Sequence, residues 1–330
     1  LHGIEHVYSI DGESPVIQVL ISKAEQMTST IAKYELSAID GGELPAWDAG
    51  AHLDIVVAPE FLRQYSMSGN PSNRTTYQIG VLREEQGRGG SLLMHRIFNK
   101  GRKVFVSRPI NHFPLIEDAN KTFLMAGGIG ITPMIAMAHR LYEIGADFEL
   151  HYSVRSRESM AYLADLKSFP WLDKVEFHCS DENTRLDLSR TFPAFKDGWH
   201  VYACGADHYM QAVLDAAERA GFPDGNRHLE YFSVPETPEW IDKEFRLRLV
   251  KSGVELNVPA DKSAAQVMNE NGYKVDIKCS DGLCGVCKCS LISGEVEHRD
   301  FVLSGKQRED QIILCSSRAL QKHGVIEIDW

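Results

Sequence analysis

No run of eighteen apolar residues occurs anywhere in this chain, so nothing in it reads as a membrane span. A secretory leader is also missing, and the cysteines, seven in 330 residues, are too sparse and odd in number for a disulfide scaffold. Both absences point to a reducing cytoplasm. The chain opens on Leu1 rather than a methionine, from which a few lost starting residues are expected. Basic side chains are in deficit, 35 against 46 acidic, and a net charge of −11 disfavours a nucleic-acid partner. From Asp242 onward 14 acidic residues face 13 basic ones, so the first 241 residues carry −10 and the C-terminal part is nearly neutral. Internal repeats and low-complexity tracts are absent, and neither an acid–base triad nor a hydrolase metal motif is evident. What remains is an ordinary globular composition, 43% hydrophobic and 25% charged, at a length of two or three domains.

The most informative segment is Cys279-Ser280-Asp281-Gly282-Leu283-Cys284-Gly285-Val286-Cys287, with Cys315 further on. C-x4-C-x2-C…C is the plant-type spacing for a [2Fe–2S] cluster, which needs two thiolates per iron. Gly282 and Gly285 let the loop take positive φ and turn amides toward the sulfurs. A structural zinc site is the alternative; it fits less well because zinc knuckles pair C-x2-C with a second close pair, and Cys315 stands alone. No Cys-x-His occurs, which excludes a Rieske centre in this chain. A [2Fe–2S] cluster moves electrons singly, so the rest of the chain has to supply them.

Three regions follow from the patterning. Residues 1–112 hold short runs rich in branched and aromatic residues, Pro15–Ile21, Ile31–Leu36, Leu53–Val57 and Thr75–Val81, broken by turns such as Gly41-Gly42, as in a small β-barrel. A helix is expected after Gly89-Gly90-Ser91. Residues 113–232 alternate strand and helix, predicting a parallel sheet covered on both faces: strand Lys121–Ala126, a glycine turn, a helix with Thr132 at the N-cap, Pro133 at its first position and Gly145 at its stop, then strands Phe148–Val154 and His200–Cys204. Residues 233–242, from Ser233 through Pro235 and Pro238, form a linker, and 243–330 hold the cysteines and a hairpin, Phe245–Val250 with Leu256–Val258.

Two further constellations carry chemistry. Gly127-Gly128-Ile129-Gly130-Ile131-Thr132-Pro133 sits between strand and helix, the geometry that receives a pyrophosphate on free amides, though Pro133 replaces the last glycine of G-x-G-x-x-G. Taken alone it is as compatible with a tight turn. Cys204-Gly205, ending a later strand of the same sheet, adds weight, although an isolated cysteine is core by default. Arg63-Gln64-Tyr65-Ser66 offers a charge for a phosphate, a ring and a hydroxyl for a flavin; the plain alternative is a surface Arg and a half-buried Tyr. Arg88 and the helix start at Gly89-Gly90-Ser91 would add positive potential and amides.

In that order, Arg63-x-Tyr65-Ser66, Gly89-Gly90-Ser91, Gly127 to Pro133 and Cys204-Gly205 resemble the ferredoxin–NADP reductase superfamily. With the cysteine module at the C-terminus, the chain resembles the phthalate dioxygenase reductase and vanillate demethylase reductase group along nearly its whole length. The resemblance implies a flavin-binding Greek-key β-barrel at 1–112, a doubly wound NAD-binding α/β domain at 113–232, and a β-grasp-like [2Fe–2S] ferredoxin domain at 243–330. It implies FMN rather than FAD, held by Arg63, Gln64, Tyr65 and Ser66, with Arg88, Gly89, Gly90 and Ser91 around the phosphate and Gly80, Val81 and Leu82 along the ring. Phe232 would cover the flavin, or is simply a Phe at a domain junction. Gly128, Ile129, Gly130, Thr132 and Pro133 would receive the NAD pyrophosphate, Cys204 and Gly205 the nicotinamide, and Ser153, Arg155, Ser156 and Arg157 the adenosine ribose. NADH is the expected donor. Arg155 and Arg157, otherwise exposed loop charges, leave NADPH open.

The implied activity is that of an NADH-dependent reductase passing electrons through FMN and the [2Fe–2S] centre, one at a time, to a Rieske-type oxygenase component. Cys279, Cys284, Cys287 and Cys315 would be the iron ligands, and Ser280 to Val286 the surface met by the acceptor. Two alternatives keep the cofactors: a reductase for a cytochrome or another monooxygenase, and a redox sensor whose cluster controls a binding surface.

Overall fold

The computed structural model describes residues 16–58, 61–233, 240–303 and 305–330. It falls into two compact units, Leu1–Leu229 and Glu230–Trp330. Pro15 of the first expected strand and residues 234–239 of the expected linker lie outside the described residues.

The first unit opens with an antiparallel sheet: β1 (Val16–Gln26), β2 (Ile31–Ala38), β3 (Ala51–Ala58), β4 (Phe61–Ser66) and β5 (Thr76–Leu82), then helix α1 (Gly90–Ile97), β6 (Lys103–Ser107) and β7 (Ile110–Asn111). Their order is β4-β3-β6-β1-β2-β5, with β7 beside β3. A bridge from Met67 to Ile79 brings the end of β4 back onto β5 and closes the sheet into a barrel. Branched and aromatic side chains on alternate positions fill it, Val19, Ile21, Leu36, Leu53, Ile55, Tyr77 and Ile79 all being buried.

A second sheet follows: β8 (Lys121–Gly127), α2 (Ile131–Glu143), β9 (Phe148–Val154), α3 (Leu163–Ser168), β10 (Val175–Cys179), α4 (Leu188–Thr191), β11 (Trp199–Cys204), α5 (Asp207–Arg219) and β12 (Arg227–Glu230). The strand order is β10-β9-β8-β11-β12, with β8 parallel to both β9 and β11 and β9 parallel to β10. Phe123 to Ala126 are buried without alternation, as a strand covered on both faces requires. The helix start departs from expectation. A 3₁₀ turn over Gly128–Gly130 runs straight into α2, so the helix begins at Ile131. Thr132 is therefore not the N-cap but a first-turn residue whose hydroxyl donates to the Ile129 carbonyl at 3.0 Å. Pro133 falls third, where its missing N–H is still not needed by the helix. Gly145, at φ 69, ends α2 as expected, with Ala146 N–H reaching the Leu141 carbonyl.

Barrel and parallel sheet share one core. Gly80 of β5 faces the second sheet so closely that a β-carbon there would lie 2.7 Å from the Tyr162 hydroxyl and 2.9 Å from Thr132 Cγ2. Ser68 and Tyr162 share a 2.8 Å hydrogen bond, and buried Lys33 pairs with Asp165 at 2.7 Å.

The second unit has its own core. It comprises β13 (Phe245–Leu249), β14 (Val254–Val258), α6 (Ala264–Glu270), β15 (Lys288–Ser293), β16 (Val296–Glu297), β17 (Gln311–Ile313), β18 (Arg318–Ala319) and β19 (Val325–Ile328). The main sheet runs β14-β13-β19-β15-β17, with β13 parallel to β19 and α6 crossing it as in a β-grasp. β13, Phe-Arg-Leu-Arg-Leu, alternates buried and exposed positions, and it forms the expected hairpin with β14. Ser263 and Gln266 close a capping box at the start of α6.

Candidate functional site

The four cysteines are brought together by strand register. β15 starts at Lys288, directly after Cys287, and Lys288 pairs with Ile313 of β17. Cys315 thus lands beside Cys287, 28 positions away in sequence, and its N–H donates to the Cys287 sulfur at 3.4 Å. Asp281 N–H donates to Cys279 Sγ at the same distance. Between Cys279 and Cys287 the loop takes three left-handed turns, at Ser280, Gly282 and Gly285 (φ 61, 73 and 69). Space demands glycine at 282 as well, since a β-carbon would lie 2.7 Å from Ser316 Oγ and 3.0 Å from the Arg299 carbonyl. Cys279 touches Cys284 and Cys315, and these neighbours with nearby amides hold its thiol far below the usual range. Cys287 is lowered likewise, first by Cys315.

Four neighbouring thiols on a loop with amides turned toward them suit a [2Fe–2S] cluster, whose sulfides those amides would meet.

In the first unit, β4 turns Arg63 and Tyr65 to one side and Gln64 and Ser66 to the other. The Arg63 guanidinium stacks over the Phe61 ring at 5.1 Å and donates to the Leu62 carbonyl at 2.7 Å. Burial and then the charge of Arg88 lower its pKa, so two cations gather where α1 begins. Gly89, at φ 86, precedes α1 without any side-chain cap, leaving the first-turn amides open. A β-carbon on Gly90 would strike Arg63 Nε at 2.5 Å. Two arginines, open amides and a bare glycine form a cradle that suits a phosphate dianion. Ser91 Oγ accepts from Glu84 N–H at 3.0 Å. The Tyr65 hydroxyl is pushed well up by burial. Gln64 is not turned to this cradle: its amide donates to Asp54 Oδ1 at 3.1 Å and lies 3.1 Å from His52 Nε2. Gly80, Val81 and Leu82 lie on β5 opposite Lys33, Ala32 and Ile31. Phe232 belongs to the second unit and is 43% exposed.

The parallel sheet presents its C-terminal edge where β8 and β11 end side by side, Ala126 opposite Cys204. Gly130 presses on the next loop so tightly that a β-carbon would come 2.1 Å from the Cys204 carbonyl oxygen. Gly127 lies under the Tyr209 ring, and Gly128 takes φ 56. Ser153 Oγ and the Tyr209 hydroxyl are buried near neighbours here, each the other's hydrogen-bonding neighbour and with no further protein partner. Two such hydroxyls beside a glycine ledge suit a polar ligand such as a nucleotide. Arg157 is already held in two-point contact by Glu182, at 2.8 and 2.6 Å. Of the expected pair, only Arg155 has no acidic partner among the described residues. Ser156 caps the following turn with Ser159.

Sequence reasoning missed Tyr162 and Tyr209. Tyr209, two residues into the helix after Cys204-Gly205, was within reach of a position argument. Tyr162 was not, because its left-handed backbone (φ 59) is imposed by tertiary packing.

The profile of the 2Fe-2S iron-sulfur cluster binding domain matches residues 248–320. The vanillate O-demethylase oxidoreductase of Pseudomonas sp. (strain HR199 / DSM 7063) is 38% identical over 308 residues, covering 92% of this chain and 97% of that protein. The solved phthalate dioxygenase reductase, described as a modular structure for electron transfer from pyridine nucleotides to [2Fe–2S], superposes with a TM-score of 0.68 at 35% identity, over 96% of this chain and 98% of the other. An intact type IV self-sufficient cytochrome P450 monooxygenase contains a similar region at TM-score 0.85 and 36% identity; this chain spans 41% of that longer protein.

Proposed function

The chain belongs to the family of vanillate O-demethylase oxidoreductases and phthalate dioxygenase reductases, and we propose that its acceptor is a Rieske-type oxygenase component met in the cytoplasm. It is an oxidoreductase that passes electrons from NADH through FMN and a [2Fe–2S] cluster to an oxygenase. A flavin held here would supply a hydride acceptor and, with the cluster, the means of splitting an electron pair into single electrons.

The residues divide the work. Arg63, Arg88 and the open amides at Gly89 to Ser91 would neutralise the FMN phosphate. Gly80 to Leu82 would leave flat backbone for the ring, with the Tyr65 side chain and the Ser66 backbone at its side. Gly128 to Pro133 would seat the pyrophosphate, Cys204 and Gly205 would flank the nicotinamide, and Ser153 with Arg155 would meet the adenosine ribose. With Arg157 tied to Glu182, capture of a 2′-phosphate falls to Arg155 alone, which favours NADH. Cys279, Cys284, Cys287 and Cys315 would ligate iron, and Ser280 to Val286 would meet the acceptor. Among the described residues no helix is long and apolar enough to cross a membrane. None of the seven cysteines is joined in a disulfide, which suits a reducing compartment.

The observation that supports this reading is the β15–β17 register, which brings Cys315 beside Cys287 at the end of the loop that carries Cys279 and Cys284, on the same chain as the glycine ledge. The test is Cys284→Ser in the flavin-loaded protein. NADH should still bleach the flavin, while cytochrome c reduction, which needs single electrons, should fall by about two orders of magnitude or more. Undiminished cytochrome c reduction would sink the proposed path.

A further inference from the structure

On β9 and β10, at the edge of the parallel sheet, three donors converge that play no part in the sites above. His151 and Glu176 are register partners, and His178 stands one pleat further along β10, opposite Ser153. Alternate residues of a strand share a face, so the three side chains point the same way. His151 Nδ1 lies 3.2 Å from His178 Nε2 and 3.5 Å from Glu176 Oε2, and His178 Nε2 lies 3.9 Å from that oxygen. A tetrahedral ion with bonds near 2.0–2.1 Å sets such edges at about 3.3 Å.

The outer ring nitrogens decide where the protons are. His178 Nδ1 faces the Thr184 carbonyl at 3.2 Å, and a carbonyl only accepts, so this nitrogen carries hydrogen. His151 is 5% exposed, and its Nε2, which makes no hydrogen bond, has Glu149 Oε2 3.6 Å away, an ion-pair distance to another pure acceptor. Each neutral ring then turns a lone pair inward, against a carboxylate oxygen. Three acceptors at this spacing repel one another unless a cation lies between them, and a carboxylate behind a ligating histidine is the usual outer support of a metal site. A second pair in the same sheet shows the contrast. His200 Nδ1 lies 2.9 Å from His228 Nε2, but His200 Nε2 faces the Asn226 amide nitrogen, a donor, at 3.4 Å. That pair is satisfied as an ordinary N–H···N hydrogen bond.

We propose that His151, His178 and Glu176 bind a divalent cation of borderline softness, zinc(II) above all, pinning edge strand β10 to β9. Glu176, 68% exposed, gives the ion its entry from solvent and leaves room for a completing water. The clamp lies two residues below Ser153, so it would stiffen the strand end assigned to the adenosine ribose.

The experiment uses oxidised protein carrying its flavin and cluster, equilibrated with zinc chloride at micromolar free zinc and then desalted. Zinc and iron per chain are measured together with the thermal midpoint. One zinc retained with iron unchanged, and a midpoint raised by zinc, is the expected result. His178→Gln should lose both effects, and Glu176→Gln, at an exposed position that folding does not need, should weaken binding about tenfold or more. No retained zinc would overturn the proposal. Retention unchanged in Glu176→Gln, or zinc gained only as iron is lost, would overturn it equally.

Discussion

A single missing β-carbon defines much of the glycine ledge. Gly130 has the Cys204 carbonyl oxygen where its Cβ would be, at 2.1 Å, and that atom is backbone and cannot swing aside. Gly130→Ala would have to push the β8 and β11 loops apart, a strain of about 1–3 kcal/mol. If the ledge seats NADH, the apparent affinity for NADH should fall about tenfold or more, while flavin content and cytochrome c turnover at saturating NADH change little. Rapid-mixing measurement of flavin reduction against NADH concentration checks this, and an unaltered half-saturation would remove the ledge from the nucleotide site. Such glycines were legible in sequence because each marks a chain reversal between recognisable elements. The [2Fe–2S] domain was legible too, because C-x4-C-x2-C sets its cysteines by local spacing, and the domain profile covers that segment. Gln64 was not, since only the fold shows its amide spent on Asp54 and His52. The His151, Glu176 and His178 grouping was equally hidden, because it depends on which strands become neighbours.

At the scale of elements, strand and helix identities followed from periodicity, while boundaries moved where local geometry overrode residue preference. The α2 start is the instance: Thr132 and Pro133 are good N-cap and first-turn residues, yet the 3₁₀ turn at Gly128–Gly130 hands its hydrogen bonding directly to the helix and moves the start to Ile131. The same helix carries a pH-sensitive contact. His139 packs edge-on against Phe169 and Trp171, and its Nδ1 accepts from the Trp171 indole N–H at 3.2 Å. Burial lowers its pKa from 6.5 to about 4, against a small opposing pull from Glu143. The folded state thus holds this ring neutral where the unfolded chain protonates it. Its contribution is complete above pH 6.5 and is lost as pH falls toward 4, on the order of 3 kcal/mol at most. His139→Gln keeps an acceptor for Trp171 without the titration. Urea midpoints read by flavin release at pH 7 and pH 4.5 should draw closer together in the variant; an equal acid loss in both proteins would exonerate His139.

For the whole molecule, the two hydrophobic cores share no residue. The first joins barrel and parallel sheet into one unit, so cutting near residue 112, where the composition changes, should yield two pieces that each expose apolar surface and fold poorly. The second core is built around Phe245, Leu247, Met268, Ile312 and Ile326, and it includes Cys287 and Cys315, two of the proposed iron ligands. Charge divides in the same way, the surplus of −10 lying before Asp242 and near-neutrality after it. A cut between 233 and 240 should therefore separate chemistry without destroying structure. The piece 240–330 is expected to fold alone, to show iron–sulfur absorption after reconstitution, and to bind no flavin. The piece 1–233 is expected to bind FMN and to be bleached by NADH, yet to reduce cytochrome c at no more than a few per cent of the full-chain rate. Mixing the two pieces should restore little at micromolar concentration, because a tether supplies an effective concentration in the millimolar range. Flavin binding by 1–233 together with full cytochrome c reduction in the absence of 240–330 would show that the cluster is not an obligatory relay, and would return the acceptor question to the flavin itself.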